Sequence, residues 1–334
     1  MTLLFSRFGK RAALMALMAI FTLGNLLSSL SPDYYTLLAS RLVTSLNHGA
    51  FFGLGAVVAA SVVPKEKQAS AVATMFMGLT IANIGGVPAA TWIGQQIGWR
   101  MAFAGTAVLG LLAMAALWYA LPKGERGSVP HVRKELAVIA RPSVLLAMAT
   151  TVLGAGAMFT LYTYVAPVLA ELTGASDSFV TLALVLIGVG FTLGNSLGGR
   201  LADWSLDGAA KIFLAVLTLI MLSMPLVLGS HIGAAIALLV WGMFTFAVVP
   251  PLQMRVMTAA IEAPGLASSI NVGAFNLGNA VGAALGGAVI SLNLGYAAVP
   301  MAGGVLAAAG LLLVWLGGRH KVCLLYTSDA ADDS

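Results

Sequence analysis

Charge is what this chain has least of. Only 9% of its 334 residues are Asp, Glu, Lys or Arg, against 60% hydrophobic. So few charges cannot cover a soluble domain of this length, which excludes a water-soluble globule. Cysteine is nearly absent too. The single thiol, Cys323, permits neither an internal disulfide nor a cysteine metal cluster. There is no HExxH pair, no phosphate-binding loop and no credible dinucleotide fingerprint. One GxSxG string, Gly194 to Gly198, lies inside a glycine-rich apolar stretch. A nucleophile elbow needs a strand–turn–helix and a histidine base, so hydrolase chemistry is not expected there. No catalytic residue, metal ligand or cofactor is expected anywhere, nor is a nucleic-acid partner. A cleavable leader is not visible either. TLLF precedes SRFGKR, which puts a few apolar residues before a basic loop and reads as the last turn of a span.

What the chain does have is apolar length, with a mean hydropathy of +0.97. Ten stretches are each long enough to cross a hydrocarbon core of about 30 Å. They cover roughly 11–31, 36–62, 68–94, 100–121, 143–169, 178–202, 211–229, 232–254, 264–291 and 296–317. When the connections are assigned alternately to two sides, basic residues collect on one. That side holds Arg7, Lys10, Arg11, Lys65, Lys67, Lys123, Arg126, Arg133, Lys134, Arg141, Arg200, Lys211, Arg255, Arg319 and Lys321. The other holds only Arg100, and Arg41 lies within a span. Positive charge marks the cytoplasmic side, so both termini are expected there. The net charge of +5 is then a loop bias and not a nucleic-acid footprint.

Two internal similarities share nearly one offset. Asn83-Ile84-Gly85 and Asn276-Leu277-Gly278 lie 193 residues apart, counting from 83 to 276. The basic opening of the first span, with Gly9, corresponds to the stretch from Gly199 to Lys211, with Gly208, 199 residues on from 9. Both copies lie on the same side, so the repeat is parallel with six spans per unit. The expected fold is all-α: a polytopic membrane helix bundle with two parallel six-helix repeats. Ten of twelve expected spans are present, and the first unit is expected to lack two at its start. The units are 1–121, with four spans, and 143–318, with six. A Gly-, Pro- and charge-rich cytoplasmic linker, 122–142, joins them. Residues 319–334 form a cytoplasmic tail. From Val322 onward it reads as a solvated acidic tail or as foreign sequence, and no function is expected beyond Lys321.

These motifs resemble the major facilitator superfamily, and more closely its drug:proton antiporter branch with the arabinose (sugar) efflux permeases. The resemblance covers about residues 5–320. Arg7, Gly9, Lys10 and Arg11 match the end of the family's Gly-x-Leu-Ala-Asp-Arg-x-Gly-Arg-Lys loop, with Ser6 where Asp is usual. A second copy keeps Gly199, Leu201, Ala202 and Asp203. The family's fourth span opens with an Arg and runs to a Gly, as Arg41 to Gly53 does. Its fifth-span pattern is met loosely by Gly78, Gly86 and Pro88.

The resemblance implies a monomeric inner-membrane secondary transporter of a small molecule and protons, exporting a sugar or small amphipathic compound by alternating access. It implies no enzyme activity. Arg41, Pro88 and the two loop copies would be gating or motif residues. Substrate-cavity candidates are Asn47, His48, Asn83, Tyr162, Tyr164, Trp241 and Asn276. His48 lies near the middle of its span and carries a titratable, hydrogen-bonding imidazole, against the plainer reading of a packed neutral ring. The asparagines equally suit interhelical packing, and the aromatics suit core or lipid contact. No carboxylate stands at mid-depth in any span. Asp203 is expected to accept hydrogen bonds from the start of a neighbouring helix, against a plain surface charge. Rival readings are a ten-span carrier of inverted five-span repeats, a channel, or a membrane-embedded enzyme.

Overall fold

The computed structural model describes residues 9–121 and 132–332; for 46, 83, 87, 88, 91, 132 and 318–332 it describes the backbone only. Every regular element among the described residues is helical. Among the described residues, ten helical spans are long and apolar enough to cross a membrane, and they fall where the apolar runs predict. In chain order, α1 is Lys10–Leu30, α2 Tyr34–Ser61 and α3 Gln68–Ile81. A π-helical turn, Ala82–Gly86, leads into α4, Val87–Gln96, and then comes α5, Trp99–Ala120. After a short α6 (Val132–Ile139) come α7 (Pro142–Tyr162), α8 (Val165–Thr173), α9 (Asp177–Trp204) and α10 (Leu206–Ser223). The last four are α11 (His231–Ala247), α12 (Val249–Ala259), α13 (Pro264–Ser291) and α14 (Ala298–Asp332).

Three apolar runs expected as single helices are broken, and proline explains each break. The 143–169 run divides between Tyr162 and Val165, because Pro167 has no N–H for the Thr163 carbonyl four residues earlier. The 232–254 run divides at Val248, four residues after Phe244 and just before Pro250 and Pro251. The 68–94 run changes register at the π turn directly before Pro88, which stands in the first turn of α4. The tail differs from expectation in the other direction. α14 continues past its apolar part, Ala298–Gly317, as far as Asp332. No Gly or Pro follows Gly318 to stop it.

Helix α1 packs on α5 and α2, and in the later part α10 packs on α14 in the way α1 packs on α5. That pairing agrees with the parallel repeat, since the two pairs occupy corresponding places in it. Close helix approach is built from small residues. Along α9, Gly190, Gly194 and Gly198 recur every fourth position, and a side chain on any of them would strike the α11 backbone at Leu239, Met243 or Ala247. With no hydrophobic drive between helices in lipid, such backbone proximity supplies the packing. Gly78 and Gly86, the loose match to the fifth-span pattern, meet no neighbouring helix among the described residues. The intervening π turn changes the helical register between them.

The linker helix α6 is seated on the later helices. Val138 joins Val144, Met148, Val256 and Ala263 in a small apolar cluster. Beside it, Arg141 Nη1 donates to Glu262 Oε2 at 2.7 Å, an exposed pair worth about 0–1 kcal/mol.

Candidate functional site

Helices from both sides of the linker surround one cavity of about 260 Å³. His48 and Phe52 of α2 and Phe76 and Leu79 of α3 form one wall. Met158, Phe159 and Tyr162 of α7, Phe191 of α9 and Thr245 and Phe246 of α11 form the opposite part. Leu252 of α12 and Val272, Phe275, Asn276 and Asn279 of α13 complete it, and among the described residues no Asp, Glu, Lys or Arg lines it. The spacing follows one helix face at a time: 272, 275, 276 and 279 are successive steps of i+3, i+4 and i+7. The rings are organised in pairs. Phe52 stacks on Phe76 with centroids 5.8 Å apart, and Phe191 stacks on Phe246 at 4.2 Å. Tyr162 leans on Phe191 at 5.8 Å, and His48 lies 5.0 Å from Phe52.

Of the cavity candidates, His48, Tyr162 and Asn276 line the wall. Asn276 also donates to the Val272 carbonyl of its own helix at 3.0 Å. Asn47, Tyr164 and Trp241 do not line it. Asn47 is buried in the helical packing, about 100° around α2 from His48. Tyr164 sits at the break between α7 and α8, and its hydroxyl donates to the Ala283 carbonyl of α13 at 2.9 Å. Trp241 is fully buried with its ring 6.4 Å from Phe191, and its Nε1 has no hydrogen-bond partner among the described residues. The Asn83 side chain lies outside the described residues, as does that of Pro88.

The second motif copy reaches across the molecule. Asp203, at the last turn of α9, accepts from Ala69 N at 2.7 Å and Ser70 N at 3.1 Å. These are first-turn amides of α3, which no helical carbonyl can satisfy, and the positive end of the helix dipole favours a carboxylate there. Gly199 makes the approach possible. A Cβ on it would collide with Ala73 and Ser70 of α3. One turn up, Asn195 donates from Nδ2 to the Ala73 carbonyl. On the same side of the molecule, Gly53 of α2 lies against the Ser269 backbone of α13. Two helix pairs, α3–α9 and α2–α13, thus come together on the linker side.

The other motif residues close individual helix groups. Arg11 Nη2 donates to the Trp118 carbonyl at 2.7 Å and its guanidinium lies over the Trp118 ring, joining α1 to α5. Gly9 precedes α1 as its N-cap and Lys10 is exposed at its start, while Arg7 lies outside the described residues. Arg41 points away from the cavity, towards Asn25 Oδ1 at 3.4 Å and the face of Phe103 at 5.3 Å. An ion pair not foreseen from sequence, Arg255 Nε to Asp207 Oδ1 at 2.9 Å, ties α12 to the start of α10. Ser196 of the GxSxG string sits in the middle of α9 and donates to the Thr192 carbonyl, so no elbow exists.

Most of the cavity's rings escaped sequence reasoning, because a Phe in an apolar span looks like any core residue. A usable signal was present. Extending the helix face from His48 by four residues reaches Phe52, and from Asn276 by three reaches Asn279.

A family model, the Major Facilitator Superfamily, matches residues 1–272. The "Inner membrane transport protein YdhP" of Escherichia coli (strain K12) is 66% identical over 321 residues, covering 96% of this chain and 82% of that protein. AraJ of the same organism is 32% identical over 319 residues, covering 95% of this chain and 80% of that one. FucP, a transporter of the superfamily solved in the outward conformation, is similar in fold. Its TM-score is 0.72 at 15% identity, over 95% of this chain and 85% of that one. With ten membrane-spanning helices around a central cavity and a family match over most of its length, this chain belongs to the Major Facilitator Superfamily and is a membrane transporter, not an enzyme.

Proposed function

We propose that this transporter exports a small organic compound in exchange for protons across the bacterial inner membrane. Residues 1–121 and 143–318 act as two units rocking about the cavity, with the linker and both chain ends in the cytoplasm. The observation that carries this reading is the cavity itself. It is walled by helices from before and after the linker, and it is held shut on the linker side by the Asp203 contact. A site at a repeat interface, closed on one side by a breakable polar contact, is what alternating access requires. The basic residues gathered on the linker side support its cytoplasmic orientation. The relative YdhP, an inner membrane transport protein, supports the inner membrane.

Proton coupling is supported by the resemblance to drug:proton antiporters and by His48. Its imidazole is the cavity-wall group whose ordinary titration lies near neutral pH. The test is reconstitution of the chain in proteoliposomes carrying a luminal pH dye. Addition of a transported compound under an imposed pH gradient is expected to drive proton movement opposite to the compound. Flux without proton movement would overturn the coupling. His48→Ala is expected to cut flux per inserted protein, and unchanged flux over about pH 6 to 8 would remove His48 from the mechanism. Orientation is tested in a Cys323→Ser background with single cysteines at Lys65 or Asp177. Only position 177 is expected to be labelled from outside intact cells.

A further inference from the structure

Helix α9 has two packed faces of different chemistry. Gly190, Gly194 and Gly198 press it against α11, backbone on backbone. The second face runs through Gly188, Thr192, Asn195, Gly199 and Asp203, in steps of three or four residues that keep to one side of a helix. It meets α3 and the π turn that follows α3. Gly188 receives Ile84, Gly199 lies against Ser70 and Ala73, and Asp203 accepts from the Ala69 and Ser70 amides. Between them, Thr192 Oγ1 lies 3.3 Å from Thr80 Oγ1, and Asn195 Nδ2 donates to the Ala73 carbonyl. The α11 face joins two helices that both follow the linker. The α3 face joins helices from either side of it.

The two seams respond differently to separation. A glycine seam holds by close contact, and separation simply loses that contact. A polar side chain exchanges its partner for water when the helices part, at little net change. Asn195 goes beyond an even exchange. It is fully buried, and its Oδ1 has no hydrogen-bond partner among the described residues. The Ala73 carbonyl lies inside α3 and by helix geometry already accepts from the N–H four residues on, so the Asn195 bond rescues no orphan group. Asp203, by contrast, meets amides that no helical carbonyl can satisfy. A buried acceptor left without a partner costs more than one ordinary hydrogen bond returns. Once the seam parts, water hydrates the whole carboxamide, so the cost is confined to the closed form.

We propose that Asn195 is the release residue of the α3–α9 seam: its half-satisfied carboxamide opposes closure and offsets the Asp203 contact, which keeps the seam separable. It acts from within, eight residues and so about 12 Å deeper than Asp203. This inference rests on the reading of two units that part on the linker side. It requires neither proton coupling nor a particular cargo.

The sign of one substitution tests it. If Asn195 were a second clasp, loss of its carboxamide would open the seam; for a release residue, loss of the carboxamide closes it. Spin labels at Ser61→Cys and Ile261→Cys, in a Cys323→Ser background and in lipid nanodiscs, read the linker-side distance by double electron–electron resonance. Asp203→Ala or Gly199→Ala supplies a measurable open population. Adding Asn195→Leu, close in volume and without polar atoms, is expected to lower the open-to-closed ratio about tenfold. It removes an unpartnered acceptor from the closed form and exposes an apolar side chain in the open one. Asn195→Val, smaller and also apolar, carries the same expectation should the leucine overpack and fail to fold. Ser196→Ala, whose hydroxyl bonds the Thr192 carbonyl of its own helix, is expected to leave the ratio unchanged. Monodispersity and thermal unfolding confirm that each variant is folded.

An open fraction raised or left unchanged by these apolar substitutions in folded protein would overturn the release role and leave the parting of the two units standing. A shift of equal size in Ser196→Ala would overturn the assignment to Asn195. No second distance in either Asp203→Ala or Gly199→Ala would mean that the seam does not part, which overturns the rocking reading and the release role together. Proton-coupled export is read separately, in proteoliposomes.

Discussion

Among the described residues, two carboxylates cap helix N-termini, Asp33 between the first two spans and Asp203 at the end of the sixth, and they do so at very different range. Asp33 caps its own helix. Its Oδ1 accepts from Thr36 N at 2.9 Å, and the Thr36 hydroxyl answers the Asp33 backbone, a capping box that opens α2. Asp203 caps a helix 134 residues earlier in the chain, at Ala69. The chemistry is the same: free first-turn amides meeting a negative charge. The consequences differ. The Asp33 bond survives any movement of α2, because donor and acceptor travel together. The Asp203 bond exists only while α3 and α9 are in contact, so it reports on, and stabilises, one arrangement of the molecule.

The strongest way to break this contrast is Asp203→Ala. Loss of two charge-assisted bonds, at about 3 kcal/mol together, is expected to shift the balance roughly a hundredfold toward a form open on the linker side. Double electron–electron resonance between labels at Ser61→Cys and Ile261→Cys, in a Cys323→Ser background, would show the lengthened distance. Asp203→Asn retains an acceptor and should shift the balance less. An unchanged distance distribution with full turnover would leave Asp203 a surface charge. Gly199→Ala keeps the carboxylate but forces a methyl group against Ala73 and Ser70, and should move the same distance in the same direction.

A smaller effect is expected at Arg255, whose contact lies within one group of helices. Its side chain is 12% exposed and that of Asp207 is 35% exposed. Arg255→Ala should lower stability by about 2 kcal/mol, seen as a lower unfolding temperature, with the linker-side distance unchanged. If the distance moves, the Asp207–Arg255 pair also belongs to the gate. Arg11→Ala should cost less, below about 1 kcal/mol, since its bond to Trp118 is exposed.

The smallest effect belongs to Asp33. The Thr36 backbone N–H holds its carboxyl below the usual carboxylate range. A folded-state value lowered in this way stabilises above the ordinary carboxylate range, and that contribution is lost as pH falls through the lowered value. Asp33→Ala should therefore speed amide exchange only in the first turn of α2, and the difference from the unaltered protein should vanish at strongly acidic pH. A change in the linker-side distance would show that the local cap is coupled to the gate.

The contrast also separates what could be read from what could not. Ten spans were legible because about 20 apolar residues in a row have only one stable use in a lipid-facing chain. The breaks at Thr163 and Val248 were legible in principle from Pro167, Pro250 and Pro251, and hydropathy alone concealed them. His48, Tyr162 and Asn276 stood out as polar groups in apolar helices. Phe76, Phe191 and Phe246 did not, since an aromatic in such a helix looks the same whether it faces lipid, another helix or a cavity. Tyr164 and Trp241 stood out for their polar atoms, yet neither lines the cavity wall.

The sequence by itself determined the class of molecule, its span count, the charge division between its faces and the local cap at Asp33. Each of these depends on composition or on neighbours a few residues away, and no folding is needed to bring them together. Only the tertiary structure decided that Asp203 meets α3 and that phenylalanines from six helices share one cavity. Those facts depend on how helices rotate and approach, set by glycine contacts and backbone breaks between residues far apart in the chain. A one-dimensional pattern of polar and apolar letters does not encode rotation between helices.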